Sequence, residues 1–175
     1  LLVSAPLLAG RDLTEDELVD LGAGSVLQPE RASDGSLLSY FTADATHVVS
    51  RAKELAVERP HGHVVKAGTD VAPNHNILSA SSYVYGVFAS HVVVGNTSVN
   101  RFVSVQRNHL NLLRSSGVRA LVKIDGAWNL LGVPSALVMD LGGLRWVYET
   151  SAGRIDVRTT ASAEGRVLEV RVDSE

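Results

Sequence analysis

An all-β domain with one or two short helices, folded as an antiparallel β-sandwich or large sheet, is what this sequence predicts. Three observations predict it. Strand-length stretches of period-two alternation follow one another through the C-terminal third. Turns containing Gly separate them, the clearest being Asp125-Gly126. No strand–helix–strand rhythm of the kind that builds parallel sheets runs along the chain.

The elements can be justified in order. Leu13 to Leu21 reads as the best helix, because Thr14 is a capping residue and Glu17, three residues on, completes a capping box. Glu15 and Asp16 suit the positive end of its dipole. Leu13, Leu18 and Leu21 fall on one side, and Gly22 and Gly24 end the helix. Strand signals then take over. Ser36–Phe41 and Thr46–Ser50 read as a pair joined through Thr42–Ala45. His61–Lys66 reads as a short strand after Pro60, and Ile77–Ser81 and Tyr85–Val94 follow. Val87–Val94 is apolar on both alternating faces, as a strand buried on both sides requires. Val99–Val105 continues the pattern, and Asn108–Ser115 reads as one or two helical turns ended by Gly117. Val118–Ile124 puts Val118, Ala120, Val122 and Ile124 on one face, and Ala127–Val133 returns after the Asp125-Gly126 turn. Leu144–Thr150 sets Leu144, Trp146 and Tyr148 against Arg145 and Glu149. Arg154–Thr159 sets Arg154, Asp156 and Arg158 against Ile155, Val157 and Thr159, and Arg166–Val172 alternates again. Residues 1–35 are therefore read as an N-terminal helical or irregular segment and 36–175 as the antiparallel β-sandwich domain.

Composition narrows the function classes. The 175 residues suffice for one good core or two small ones. With 45% apolar and 20% charged residues the chain is ordinary globular material, not a disordered segment. A net charge of −3 offers no basic excess, so nucleic acid is not an expected partner. The absence of cysteine excludes disulfides, thiolate metal sites and a Cys nucleophile, and it suits a cytoplasmic location. No apolar run approaches the roughly 20 residues of a membrane-spanning helix. The start, LLVSAPLLAGRDL, is apolar but lacks the basic region of a signal peptide. Because the chain does not begin with Met, the expectation is a piece of a longer polypeptide.

Polar side chains concentrate between Tyr83 and Arg119: His91, Asn96, Asn100, Arg101, Gln106, Arg107, Asn108, His109 and Asn111. Of these, Arg101, Arg107 and Asn108 could bind an anion such as phosphate. The alternative is that the arginine stems cover the sheet while their heads stay in water. His61 and His63 sit on one face of a strand start, a geometry that needs a third ligand from His75, His47 or Glu58 before it holds zinc or copper. Without one they are polar histidines at a strand edge or in a pocket, and no metal is expected. Trp128 follows the tight turn and is expected to be exposed, where an indole can stack on the apolar face of a sugar. Trp146 lies on the apolar face of its strand and is expected in the core. Glu54, Glu58, Asp70, Asp125 and Asp140 are the carboxylates available for acid–base work, and none is paired in a suggestive context. Asp125 and Asp34 read as turn residues. Neither a G-x-S-x-G elbow nor a phosphate-binding G-x-x-x-x-G-K-[ST] loop is present, and no catalytic residue is assigned.

Three motifs in order carry a resemblance. They are YGVF-x-S-x-x-x-x-GNTS (Tyr85 to Ser98), R-N-x-L-N (Arg107 to Asn111), and a strand pair leading to Pro134-Ser135. With KELAVERPHGHVV (Lys53 to Val65) and Asp125 to Tyr148, they resemble the N-terminal β-sandwich region of glycoside hydrolase family 94 proteins, formerly glycosyltransferase family 36, of the β-glucan or oligoglucan phosphorylase type. The resemblance spans Leu37 to Val172. It implies an antiparallel β-supersandwich and a large parent enzyme whose (α/α)6 barrel holds the catalytic machinery. It also implies inorganic phosphate as co-substrate of that parent, no cofactor, packing against the barrel, contact with oligosaccharide and a homodimer, and it makes the polar cluster from Asn96 to Asn111 a candidate for the barrel-facing or cleft-facing edge. The barrel's general acid has no counterpart in this chain. Two other readings stand beside this one: a free-standing carbohydrate-binding or protein-interaction module, and a small β-sandwich enzyme using His61 and His63 on a metal.

Overall fold

The computed structural model describes residues 5–56, 62–66, 79–83, 92–95, 100–103, 120–161 and 168–175. In chain order the elements are β1 (Leu7–Leu8), α1 (Glu15–Leu21), β2 (Leu27–Arg31), β3 (Leu37–Phe41), β4 (His47–Ser50), α2 (Arg51–Ala56), β5 (Gly62–Lys66) and β6 (Ser79–Tyr83). They continue with β7 (Val92–Gly95), β8 (Asn100–Val103), β9 (Leu121–Ile124), β10 (Ala127–Leu131), β11 (Ala136–Met139), β12 (Gly143–Thr150), β13 (Gly153–Ala161) and β14 (Leu168–Ser174). The fold class is the expected one: among the described residues there are strands with two short helices. The strands form three sheets: a seven-stranded sheet in the order β14-β13-β12-β11-β4-β3-β2, a three-stranded sheet β1-β10-β9 and a four-stranded sheet β5-β6-β7-β8. Pairing is antiparallel except between β1 and β10.

The seven-stranded sheet is covered on both faces, and β12 shows how. Leu144, Trp146 and Tyr148 point to one face and join Val49, Leu137, Met139, Ile155 and Val157 in a core that the small sheet closes with Leu131, Val122 and Ile124. Val147 points the other way, into a second core with Leu37, Tyr40, Val48 and Ala136, closed by Leu18 of α1. Two-sided burial follows from alternation: each strand supplies one apolar set to each layer. Arg145 and Glu149 lie on the α1 face, where they line a hollow with Glu17, Asp20 and Leu21 of the helix.

Helix α1 forms where its capping box predicts. Thr14 Oγ1 accepts from the Glu17 amide at 3.3 Å, and Glu17 accepts from the Thr14 amide at 2.8 Å. Arg11 adds an ion pair to Glu17 at 2.6 Å. The Arg11 guanidinium first, then the Thr14 amide, hold the Glu17 carboxyl down to about 2, below its ordinary 4.5. Because the folded value is depressed, the stability this group contributes is present above pH about 4.5 and is lost as pH falls toward 2. Glu17→Gln should therefore lower the urea midpoint at pH 6 and leave it nearly unchanged at the acid end. Equal losses at both pH values would show that the ionised carboxylate is not the source.

Where expectation and structure differ, the reasons are local. The segment 1–35, read as helical or irregular, also carries β1 and β2. β2 escapes pattern reading because all five of its residues are exposed and Pro29 interrupts them, as an edge strand tolerates. Of the strand expected at Ile77–Ser81, residues 79–81 fall within β6, and Ile77 and Leu78 lie outside the described residues. Helix α2 was not anticipated, although Ser50 Oγ accepts from the Lys53 amide at 3.2 Å as a capping serine does. Of the strand expected at Tyr85–Val94 only its end falls within β7, and the helical turns expected at Asn108–Ser115 lie outside the described residues. Gly10 is a close-approach glycine: a Cβ there would stand 2.3 Å from the Ser135 amide nitrogen. Its own N–H donates to Val133 O at 2.9 Å and that of Arg11 to Glu149 O at 2.8 Å, fastening the N-terminal segment across the turn before β11.

Candidate functional site

Of the residues proposed from sequence, Trp128 is the one whose surroundings are described. The β9–β10 hairpin that presents it turns at Asp125 (φ 49°) and Gly126 (φ 82°), the two positive φ values of a type I′ turn. Trp128 lies opposite Lys123, and Leu130, two residues on, lies opposite both Leu121 of β9 and Leu7 of β1. Cross-strand partners share a face. That outer face therefore carries Trp128, Lys123, Leu130, Leu121 and Leu7, while Val122, Ile124 and Leu131 pack inward. Trp128 is 56% exposed, Leu7 71% and Leu121 47%. The hairpin is held in place beneath by the Tyr148 hydroxyl, which donates to Gly132 O at 2.8 Å. The result is a flat apolar platform with one cation beside an indole. It can stack on a sugar ring or bury itself against protein.

Two other candidates fall on strands of the four-stranded sheet. His63 sits on β5 opposite Ser82, and Arg101 on β8 opposite Val94. β5 and β8 are the two edges of the four-stranded sheet, so their backbones are about 14 Å apart at ordinary strand spacing. His61, Asn96, Arg107 and Asn108 lie outside the described residues, as do Glu58 and Asp70. Among the described residues no group of three His, Cys, Asp or Glu is placed to hold a metal ion.

Four of the described carboxylates have structural places. Asp140 Oδ1 accepts from the amides of Gly142 at 2.6 Å and Gly143 at 2.9 Å, closing the β11–β12 turn. Asp34 accepts from the Ser36 hydroxyl at 2.7 Å and amide at 2.9 Å, which holds its carboxyl below the usual range. Asp125 occupies the hairpin turn, and Glu54 is buried in α2.

Sequence reading passed over one cluster on the α1 face. Asp156, 8% exposed, receives Arg145 Nε at 2.9 Å and Arg154 Nε at 3.1 Å, with Arg158 Nη2 at 3.8 Å. Arg154 also reaches Glu149 at 3.4 Å. Register explains the arrangement. Arg145, Arg158 and Arg171 form one row across β12, β13 and β14, a line of like charges that Asp156 in the adjacent row relieves. A carboxylate surrounded in this way is an ion-pair hub and not a free acid or base.

Two comparisons bear on this architecture. Residues 27–175 match the glycoside phosphorylase supersandwich domain. The chain is also similar to a 1,2-β-oligoglucan phosphorylase of Listeria innocua serovar 6a, with 41% identity over 146 residues. That alignment takes in 83% of this chain and 13% of the relative, so the chain spans about an eighth of that protein's length. With the match running from β2 to the last residue of a strand-built structure, the chain belongs to the glycoside phosphorylase supersandwich domain family.

Proposed function

We propose that this chain is a non-catalytic β-sandwich that packs on, and helps wall the sugar cleft of, a β-glucoside phosphorylase-like enzyme using inorganic phosphate with inversion. The observation that carries the reading is the outward apolar platform of Leu7, Leu121, Leu130 and Trp128, a surface suited to lie against another part of a larger protein. That the alignment takes in 13% of the relative's length supports it. Inverting phosphorolysis needs one carboxylic acid to protonate the leaving oxygen while phosphate attacks the opposite face of the sugar. Asp34, Asp125 and Asp140 are engaged in turns, Glu54 in a helix and Asp156 in an ion-pair hub, and that acid is assigned to a partner domain, an (α/α)6 barrel of the same polypeptide.

The test has two arms. The intact polypeptide containing this chain, given a β-glucan and phosphate, is expected to release a sugar 1-phosphate, and the 175-residue chain alone is expected to release none. Turnover by the chain alone, or none by the intact polypeptide, would overturn the reading.

The exposure of Trp128 favours a second reading, a free-standing carbohydrate-binding module. The chain has two tryptophans, and Trp146 is fully buried, so acrylamide quenching reads Trp128. If the accessory role is correct, β-glucan oligosaccharides leave quenching of the 175-residue chain unchanged. Protection from quenching that disappears in Trp128→Phe would transfer the assignment to the second reading.

A further inference from the structure

Where the last turn of α1 meets the seven-stranded sheet lies a hollow of about 360 Å³. Leu21 of α1, Thr46, Val138 of β11 and Thr160 of β13 line it, together with two guanidiniums, Arg145 and Arg158. Register brings the arginines together, because Arg145 of β12 lies directly across from Arg158 of β13. Gly143, across from Thr160 in the next row, puts no side chain into the space. The hydroxyls of Thr46 and Thr160 make no hydrogen bond among the described residues, so both can donate into the hollow.

Negative charge is unevenly distributed around the arginines. Asp156 accepts from Arg145 through Nε at 2.9 Å and Nη2 at 2.8 Å, and from Arg154 Nε at 3.1 Å. Arg154 has Glu149 as well. Arg158 comes no nearer to Asp156 than 3.8 Å, too far for a hydrogen bond. Three guanidiniums thus share two carboxylates, and Arg158 is the one left over. Among the described residues neither Arg158 nor Nη1 of Arg145 has a hydrogen-bond partner. The other acids nearby are engaged. Asp140 holds the Gly142 and Gly143 amides. Asp173 takes Arg171 at 2.9 Å, and Glu169 acts on that same guanidinium. At the end of α1 the Val19 and Asp20 carbonyls accept from the amides of Gly22, Ala23 and Gly24, which blunts the negative end of the helix.

We propose that this hollow is an oxyanion site that takes a phosphate group, with Arg158 and Arg145 on its charge and the Thr46 and Thr160 hydroxyls on its remaining oxygens. The fork of a guanidinium matches two oxygens of a phosphate at once, and the bound group supplies the carboxylate-like charge that Arg158 lacks. The hollow also has room beyond one phosphate for the rest of a small molecule. Free phosphate and a phosphate ester share this chemistry, and the test separates them. The site rests on the arginine pair and the hollow, independently of the function proposed above.

Calorimetric titration of the 175-residue chain with inorganic phosphate, with glucose 6-phosphate and with glucose is the test. Saturable binding of at least one phosphate probe, with a dissociation constant of about 1 mM or lower, is expected, and glucose should not bind. Tighter binding of the ester assigns the spare volume to a phosphorylated small molecule; equal or tighter binding of inorganic phosphate assigns the site to the free ion. Arg158→Gln should weaken binding about tenfold or more, the scale of one charge-assisted hydrogen bond. Arg158→Lys keeps the charge without the fork and should fall between. Arg171→Gln removes a cation of the same row from outside the hollow and should leave binding unchanged. Both arginine side chains are at least half exposed, so circular dichroism spectra should not change. No saturation by either phosphate probe up to about 10 mM overturns the site. So does binding that glucose matches, or that survives Arg158→Gln. An equal loss in Arg171→Gln overturns it too, since that is diffuse attraction to a basic row.

Discussion

Replacing Trp146 with alanine is expected to cost about 3–5 kcal/mol, a large share of the roughly 5–15 kcal/mol that holds a domain folded. The side chain is fully buried in the middle of β12 and belongs to the larger of the two cores. Its neighbours come from both layers. Val49, Leu137 and Val157 belong to the seven-stranded sheet, and Leu131 belongs to the hairpin that lies over it. The cavity left by an indole cannot be refilled from one side without pulling the small sheet inward. For a chain of this length that loss corresponds to a fall in melting temperature of about 6–20 °C. Trp146→Phe, which keeps most of the apolar volume, should fall between the two. A fall of less than about 3 °C for the alanine variant, well under that scale, would mean that the small sheet is not packed as described.

How far this architecture was legible from sequence depends on how local each signal is. β12 was legible because Leu144, Trp146 and Tyr148 alternate with Arg145 and Glu149 inside one strand. The β9–β10 hairpin was legible because Asp125-Gly126 dictates its turn, and α1 because Thr14 and Glu17 complete a box four residues long. β1 was not, because a two-residue strand has no period; it exists through its parallel pairing with Leu130 and Leu131, more than a hundred residues away. β2 was not, because an exposed edge strand has no buried face to imprint a pattern. The same distinction governs the site. Exposure of Trp128 follows from its place just after a tight turn. That Leu7 and Leu121 extend its platform follows from cross-strand register, which no single segment encodes. The family motifs are a different kind of signal: they identify kinship through Tyr85 to Asn111 without requiring that the geometry of that stretch be known.

Asp156→Ala is the second large effect expected, about 2 kcal/mol, and its origin differs from that of a cavity. The alternation of Arg154, Asp156 and Arg158 against an apolar face suggests a solvated polar stripe, where single ion pairs contribute little. Register changes that expectation. Arg145 lies directly across from Arg158, and Arg158 across from Arg171, so three strands bring three like charges into line. Asp156, nearly buried, is the carboxylate that Arg145, Arg154 and Arg158 all approach. Removing it leaves partly buried guanidiniums facing one another without their counter-charge. For fully buried pairs such a loss runs to about 3–5 kcal/mol; the side-chain exposure of Arg154 and Arg158 brings the expectation down. A double-mutant cycle separates repulsion from lost packing. Arg145→Ala made in the Asp156→Ala background should cost less than it does alone, because its partner is already gone. Added salt should reduce the effect of Asp156→Ala only partly, since screening acts weakly on a carboxylate this enclosed. Strict additivity of the two substitutions, or a loss under about 0.5 kcal/mol typical of an exposed surface change, would return Asp156 to the solvated stripe that its sequence pattern suggests.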